Sequence, residues 1–397
     1  MEKETEGEFD IKHLIVEEQS TSSGGQGKVF KGKYKNNIEV IIKQYSSIGE
    51  KDNKEIAIYK ELKHDFIVEF FGSFVDEAKR VNLVLEKAKG EDIDYYVRNQ
   101  IEFQKQGLDL SNFNEEERQK LELKLLTVKE KLIFIIQLCD VLIYFKKKKI
   151  IHRDVKPSNI NINKYLNNND RSFYNSLLYS DSFKKNIFTL DDLKCKLSEN
   201  NDNNEGSESI KEVVEDMQNL NIQGHEEKDL YYDKYNVEMK IFDFGISKIT
   251  AATFDITNSN SYSIHYSCPE QYEIKTEDED VNNYLVCHKV DIWALGCLIS
   301  YLFTGIVPWT NKCNNNIMKI QNALIKKIAF PIPDKWFPID DLTKSRLIKI
   351  LELCLKTNYK ERINSKGLKK LILALFFDKD FDSTLLEMKN IESEYFR

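Results

Sequence analysis

Strand-type apolar runs occupy residues 11 to about 98, and helix-type periodicity takes over from about 127. Val29-Phe30 and Val40-Ile41-Ile42 are β-branched or aromatic and sit beside polar turns, so they predict strands. Phe66-Ile67-Val68 and the alternating Val81, Leu83 and Leu85 predict two more. Between these groups, Ile56, Tyr59 and Leu62 recur at helical spacing and predict one helix over Glu55 to Leu62. Further on, long apolar-periodic segments lie around 130–147, 290–304 and 345–356. The pattern predicts a small strand-rich lobe with one helix, followed by a larger, mainly helical lobe.

Two segments interrupt it. Residues from about 100 to 126 are charged and polar, with partial helical character. Residues from about 164 to 236 are rich in Asn, Asp, Ser and Glu, with runs such as Asn167-Asn168-Asn169 that bury too little surface to offset ordering entropy. Within this insert, Ser209 and Glu212 have capping-box spacing, and Ile210, Val213, Val214 and Met217 share a helical face. That face reads equally as a docking helix or as a transient helix without a partner. A loop joining neighbouring strands can be long at little entropic cost, so the insert projects away from whatever the strands build. Neutral expansion is favoured over a partner-binding role. The last residues, 376–397, carry Leu385, Leu386 and Met388, which either dock on the second lobe or bind a partner.

Composition narrows the class. Of 397 residues, 41% are hydrophobic and 31% charged, and the net charge is -7 with both signs mixed. This is a soluble globular chain and argues against a nucleic-acid binder or a membrane-surface protein. The seven cysteines are scattered, so a disulfide framework or zinc site is not expected and a reducing compartment fits. The first residues, MEKETEGEFD, show no apolar leader, and the apolar stretch from Leu132 to Phe145 is too short to span a bilayer. The expectation is the cytoplasm, with the nucleus as the other compartment, and no membrane anchor.

The chemistry concentrates at His152-Arg153-Asp154-Val155-Lys156-Pro157-Ser158-Asn159. An Asp that accepts a hydroxyl proton, a Lys that neutralises a phosphoryl group and an Asn that ligates a divalent metal share one short loop. Asp243-Phe244-Gly245 supplies a second metal-binding signal. Upstream, Ser22, Gly24, Gly25, Gly27 and Val29 form a glycine-rich turn between strands, where backbone N–H groups approach phosphates because no Cβ blocks them. Lys43 ends the next strand, and Glu55 on the following helix is placed to hold it. Any one of these signals is weak alone, since most glycine turns are structural and most lysines are solvated. Their order along the chain is what is specific.

These motifs resemble those of the eukaryotic protein kinases, over roughly residues 15 to 375 less the two insertions. Ser267-Cys268-Pro269-Glu270 resembles the end of the family's activation segment. Asp291-Ile292-Trp293-Ala294-Leu295-Gly296 resembles the helix beneath the catalytic loop, and Thr304-Gly305-Ile306-Val307-Pro308-Trp309 the turn after it. Arg362 stands where the family pairs an Arg with Glu270. The resemblance implies an α+β fold of two lobes: a small β-rich N-lobe at about 15–88 and a large, mainly helical C-lobe at about 89–375. Tails would lie at 1–14 and 376–397. It implies transfer of the γ-phosphoryl group of ATP, with Mg²⁺, to protein substrates. Asp154 would be the catalytic base, Lys156 the γ-phosphoryl stabiliser, Lys43 and Glu55 the phosphate-anchoring pair, and Asn159 and Asp243 the metal ligands. Leu85 would be the gatekeeper, and Glu86 and Ala88 would offer hinge backbone to adenine. Lys156 in this loop is the serine/threonine pattern, with a dual-specificity or tyrosine kinase as the alternative. Ser263 matches the residue whose hydroxyl bridges Asp154 and Lys156. Arg153, Lys248 and Lys51 match cations that receive an activation-loop phosphate, so Thr250, Thr253, Thr257, Ser259 and Ser261 are candidate acceptors for the protein itself or an upstream kinase.

Two positions depart from the family on the adenine side. Ile41 replaces a usual Ala above the base, and Asn161 replaces a usual apolar residue below it. Ser22 for the first loop glycine and Cys268 for Ala are mild changes. The competing reading is an inactive nucleotide-binding scaffold, which Ile41 and Asn161 favour. The presence of Lys43, Glu55, Asp154, Asn159 and Asp243 favours an active enzyme.

Overall fold

The structure is a computed structural model that describes residues 9–19, 28–35, 37–45, 50–165, 237–245, 247–249, 263–272, 283–378 and 380–386. The chain divides into two units, residues 1–163 with 237–397 and residues 164–236. The second unit lies almost wholly outside the described residues, and with it the capping box at Ser209 and Glu212. The glycine turn at Ser22 to Gly27 and the candidate acceptors Thr250 to Ser261 also lie outside them.

The first lobe is a five-stranded antiparallel sheet. It comprises β1 (Leu14–Gln19), β2 (Lys28–Tyr34), β3 (Ile38–Gln44), β4 (Phe70–Val75) and β5 (Val81–Glu86), in the order β1-β2-β3-β5-β4. Side-chain alternation explains its two faces. Val40 and Ile42 join Tyr34 and Val84 in a buried cluster, covered by Phe9, Leu14, Phe30, Phe71 and Phe74. Ile41 and Lys43 therefore project from the opposite face of β3. Gly32 is required where β1 crosses β2, because a Cβ there would lie 2.6 Å from the Ile15 carbonyl oxygen. One helix, α1 (Glu50–Glu61), follows β3.

Phe66-Ile67-Val68 is not a strand. Ile67 makes an isolated bridge with Ile241, and Val68 N–H donates to the Ile241 carbonyl at 3.2 Å. These residues are apolar because they bury against the second lobe, and the strand begins at Phe70, where the pairing with β5 is irregular between Phe70 and Gly72.

The second lobe is mainly helical. After the short strand β6 (Glu91–Asp92) come α2 (Ile93–Lys105) and α3 (Glu115–Glu122), which occupy the polar segment. Next, α4 (Val128–Lys148) is buried on nearly all sides, with Leu132 through Ile136 inaccessible to solvent. Each such Leu or Ile stabilises the fold by about 1.5–3 kcal/mol. Helix α4 opens on a Thr127–Glu130 capping box and stops at Lys149, whose φ of 58° is left-handed. Strands β7 (Ile150–Ile151), β8 (Ile160–Lys164), β9 (Val237–Ile241) and β10 (Lys248–Ile249) follow, forming the sheets β10-β7 and β6-β8-β9.

Among the described residues the remaining α-helices are α5 (Asn283–Thr304), α6 (Thr310–Cys313), α7 (Ile317–Ile325), α8 (Asp341–Cys354) and α9 (Ser365–Phe376). Helices α5 and α8 approach so closely at Gly296 that a Cβ there would meet the Cys354 Cβ at 2.8 Å. Beyond α9, Phe381 and Leu385 are buried, the Arg346 guanidinium covers the Phe381 ring at 5.3 Å, and Lys349 pairs with Asp382 at 2.9 Å. This part of the tail docks on α8. Leu386 is exposed, and Met388 lies outside the described residues. Among the described residues no helix is long and apolar enough to cross a membrane.

Candidate active site

Two backbone arrangements and one side chain converge where the lobes meet. The β10–β7 pairing sets the chain after Ile241 beside the chain after Ile151. Phe242 N–H donates to the Asn159 carbonyl at 3.1 Å, which places Asn159 and Asp243 together. From the first lobe, Lys43 reaches across the gap. Its Nζ donates to Glu55 Oε1 at 3.0 Å and Oε2 at 3.3 Å, and to Asp243 Oδ1 at 2.9 Å. Burial alone would depress Lys43, but the Glu55 and Asp243 carboxylates outweigh it and raise its pKa. Burial likewise acts to raise Asp243, yet the Lys43 charge and hydrogen bond and the Gly245 N–H hold its carboxyl below the usual range. Both groups are charged at neutral pH.

The catalytic-loop candidates form a second cluster. Lys156 Nζ donates to Asp154 Oδ2 at 2.5 Å. Asn159 Nδ2 donates to the same oxygen and to the Asp154 carbonyl, both at 2.9 Å. With its amide nitrogen so engaged, Asn159 keeps Oδ1 clear of hydrogen bonds among the described residues. Asp243 Oδ2 is in the same condition, because its recorded bonds from Lys43 and Gly245 go to Oδ1. An amide oxygen and a carboxylate oxygen are the hard donors a Mg²⁺ ion takes, so the residues present fit that metal.

The loop is fixed from below. Asp291 on α5 accepts from His152 N–H at 2.9 Å and Arg153 N–H at 2.8 Å. Burial pushes the Asp291 carboxyl up, and the His152 and Arg153 groups oppose it. Arg153 and Asp243 hold left-handed φ values of 70° and 66°, conformations that non-glycine residues keep only where surrounding contacts impose them. The His152 ring donates from Nε2 to the Phe242 carbonyl, with Nδ1 accepting from Asp154 N–H, so the neutral tautomer fits both bonds. Phe244 is buried between Tyr59, Phe145 and His152, with ring centroids 5.0, 5.7 and 4.8 Å away.

Ile41 pairs with the buried Leu85 across β3 and β5. Glu86 Oε2 accepts from Lys240 Nζ and from Glu69 N–H, each at 3.0 Å, and is thereby turned away from any hinge role of its side chain. Val29 lies on β2 opposite Lys43 and Ala88 follows β5, while Ser22, Gly24, Gly25 and Gly27 fall outside the described residues. Asn161 lies opposite Asp92 in the β6–β8 pair and donates to the Gly90 carbonyl at 3.4 Å. Its polarity thus has a local use in tying β8 to the segment after the hinge. Ser263 is not brought to Asp154 and Lys156: its hydroxyl makes no hydrogen bond among the described residues, and its carbonyl accepts from Tyr266 N–H. The side chains of Lys51 and Lys248 lie outside the described residues.

Sequence reasoning missed two tyrosines. Tyr45 donates its phenol hydrogen to Glu55 Oε2, and the Tyr59 hydroxyl accepts from Asp243 N–H at 3.3 Å. A signal existed for each. Tyr45 is two residues after Lys43, hence on the same strand face, and Tyr59 is one helical turn after Glu55.

Two family models match the chain: "Protein tyrosine and serine/threonine kinase" over residues 15–172 and "Protein kinase domain" over residues 208–372. The chain belongs to the protein kinase family. Residues 173–207, inside the polar insert, are matched by neither model of the kinase family. The kinase is 23% identical to an Aurora kinase of Patiria pectinifera over 333 residues, 83% of this chain and 54% of that protein. It is 22% identical to the serine/threonine-protein kinase ATG1 of Colletotrichum lindemuthianum over 370 residues, covering 90% and 44%. It is 20% identical to the mouse serine/threonine-protein kinase tousled-like 1 over 319 residues, covering 78% and 28%. The chain therefore spans about half or less of the curated relatives it matches.

Proposed function

We propose that this kinase transfers the γ-phosphoryl group of Mg-ATP to serine and threonine hydroxyls of protein substrates. The observation that carries the reading is the convergence of Lys43, Glu55 and Asp243 with Asp154, Lys156 and Asn159, two hydrogen-bonded clusters joined where Phe242 N–H donates to the Asn159 carbonyl. Asp154 orients the attacking hydroxyl and accepts its proton. Lys156 offsets charge on the transferring group. Lys43, held by Glu55, takes the α- and β-phosphates. Asn159 and Asp243 would hold a Mg²⁺ ion, which would supply positive charge to offset the charge that builds up in transfer. Leu85, Glu86, Ala88, Ile41, Val29 and Asn161 would contact the base, and the sequence assigns the phosphates to the glycine-rich turn of Ser22, Gly24, Gly25 and Gly27. The match of Arg153, Lys51 and Lys248 in the sequence to the family's phosphate-receiving cations supports control by phosphorylation between Thr250 and Ser261, by the protein itself or an upstream kinase. The compartment consistent with this chemistry is the cytoplasm or nucleus.

Radiolabelled transfer from Mg-ATP to the protein and to generic Ser/Thr-rich substrates tests the reading. Transfer should be lost on chelation of the metal and in Asp154→Ala. Transfer that survives Asp154→Ala, or none at all from folded wild-type protein after treatment with an upstream kinase, overturns it.

A further inference from the structure

We infer that Tyr45 is a positioning residue for phosphoryl transfer, an inference that rests on the kinase reading. It touches both members of the phosphate-anchoring pair. Its hydroxyl donates to Glu55 Oε2, and Lys43 Nζ lies 5.3 Å from the centre of its ring face. The phenol is itself buried, and its backbone N–H is bonded to the Val81 carbonyl at 2.9 Å, so the ring has little freedom to follow a moving partner.

The consequence lies in the orientation of one carboxylate. Lys43 contacts both Glu55 oxygens, at 3.0 and 3.3 Å, and one oxygen of Asp243 at 2.9 Å. An ammonium has three donors and no preferred plane, so it does not by itself fix the Glu55 carboxylate. The tyrosine bond does. It pins Oε2 and leaves Oε1 as the shorter partner of Lys43. Without that bond the carboxylate can turn, and Lys43 is drawn toward Asp243, an oxygen ligand the metal needs. A phenylalanine at this position would keep the ring and lack the hydroxyl that bonds Glu55. Tyr59 plays a complementary part on α1, since its hydroxyl meets the Asp243 backbone one turn beyond Glu55.

The test is a double-mutant cycle of Tyr45→Phe and Glu55→Gln, with steady-state transfer kinetics and urea unfolding on all four proteins. Tyr45→Phe alone should lower kcat about tenfold, the scale of one lost orienting hydrogen bond, with KM for ATP moving less than about threefold. In the Glu55→Gln background the same change should cost less than about twofold. Equal losses in the two backgrounds, or no loss in the first, overturn the inference, because a ring that only packs is indifferent to the charge of its neighbour. Unfolding reads the same bond without catalysis. If wild-type protein transfers no phosphate, the functional reading fails. Non-additive unfolding free energies would then still support the Tyr45–Glu55 coupling, and additive ones would remove it.

Discussion

Arg362 and Lys43 are both cations held against a glutamate, yet Arg362 is sealed and Lys43 is open. The Arg362 side chain is 0% exposed. It donates to Glu270 at 2.5 and 3.0 Å, to the Lys289 carbonyl at 2.6 Å and to the Lys356 carbonyl at 2.9 and 3.1 Å, and it lies over Trp293. All five guanidinium N–H groups are thus used. Lys43 is 14% exposed and faces two carboxylates with one charge. The closed pair is complete and can only hold. The open cluster carries excess negative charge and clear oxygens beside a cleft, which is the condition for taking up a cation and a phosphate. Completeness, more than residue type, separates a structural ion pair from a working one.

The sharpest way to break that comparison is Lys43→Met. Loss of a positioned cation at the phosphates should lower phosphoryl transfer by about a hundredfold or more, with the protein still folded by circular dichroism. Arg362→Ala should do the reverse. It strands the Glu270 carboxylate and the Lys289 and Lys356 carbonyls, at a cost of about 3–5 kcal/mol in unfolding free energy. Transfer per folded molecule should hardly change. If Arg362→Ala lowers specific activity while stability holds, the division between closed and open pairs is wrong.

How much of this was readable beforehand follows from what each feature depends on. The loop from His152 to Asn159 and the turn at Asp243 are short, contiguous motifs, so their chemistry is written in residue order. The two-lobe architecture was legible from the change of period. What escaped were contacts whose logic is tertiary. Phe66-Ile67-Val68 looks like a strand because it is apolar, but it is apolar on account of Ile241 in the other lobe. Tyr59 reads only as one position of an apolar helical face and Tyr45 carries no motif, and only the placement of Glu55 and Asp243 gives their hydroxyls a use. Asn161 looked anomalous as an apolar-site substitution until the Gly90 carbonyl supplied its partner. Ser263 shows the opposite failure, a motif match whose hydroxyl is not delivered to the loop.

A third cation sharpens the comparison from another side. Lys131 on α4 is 5% exposed and has ring faces rather than carboxylate oxygens around its Nζ, with Phe303 at 5.2 Å and Phe337 at 4.8 Å. Burial pushes its pKa down to about 7, with Glu130 opposing. The unfolded chain holds this proton up to about pH 10.4, so over that window the unfolded state binds more protons and stability rises with pH. The penalty is full below about pH 7 and fades as pH climbs. Lys131→Met should therefore gain on the order of 1–2 kcal/mol at neutral pH and flatten the rise. Urea midpoints from pH 6.5 to 9.5 measure both. A variant with unchanged slope would mean that the ring faces fully replace the lost water.

The smallest effect calibrates the others, because it involves no buried charge pair. Thr127 Oγ1 accepts from Glu130 N–H at 3.2 Å, and Glu130 Oε2 accepts from Thr127 N–H at 2.8 Å, closing the first turn of α4. Thr127→Ala removes one of these bonds and should cost about 1 kcal/mol. Helix α4 lies beneath the catalytic loop, but its start is remote from Asp154 in sequence and tied to neither cluster in the cleft. The expected outcome is a lower thermal midpoint with unchanged kcat and KM. If kcat falls with Thr127→Ala while most of the protein stays folded, satisfied bonds outside the cleft tune the chemistry. Completeness would then no longer mark which contacts work and which only hold.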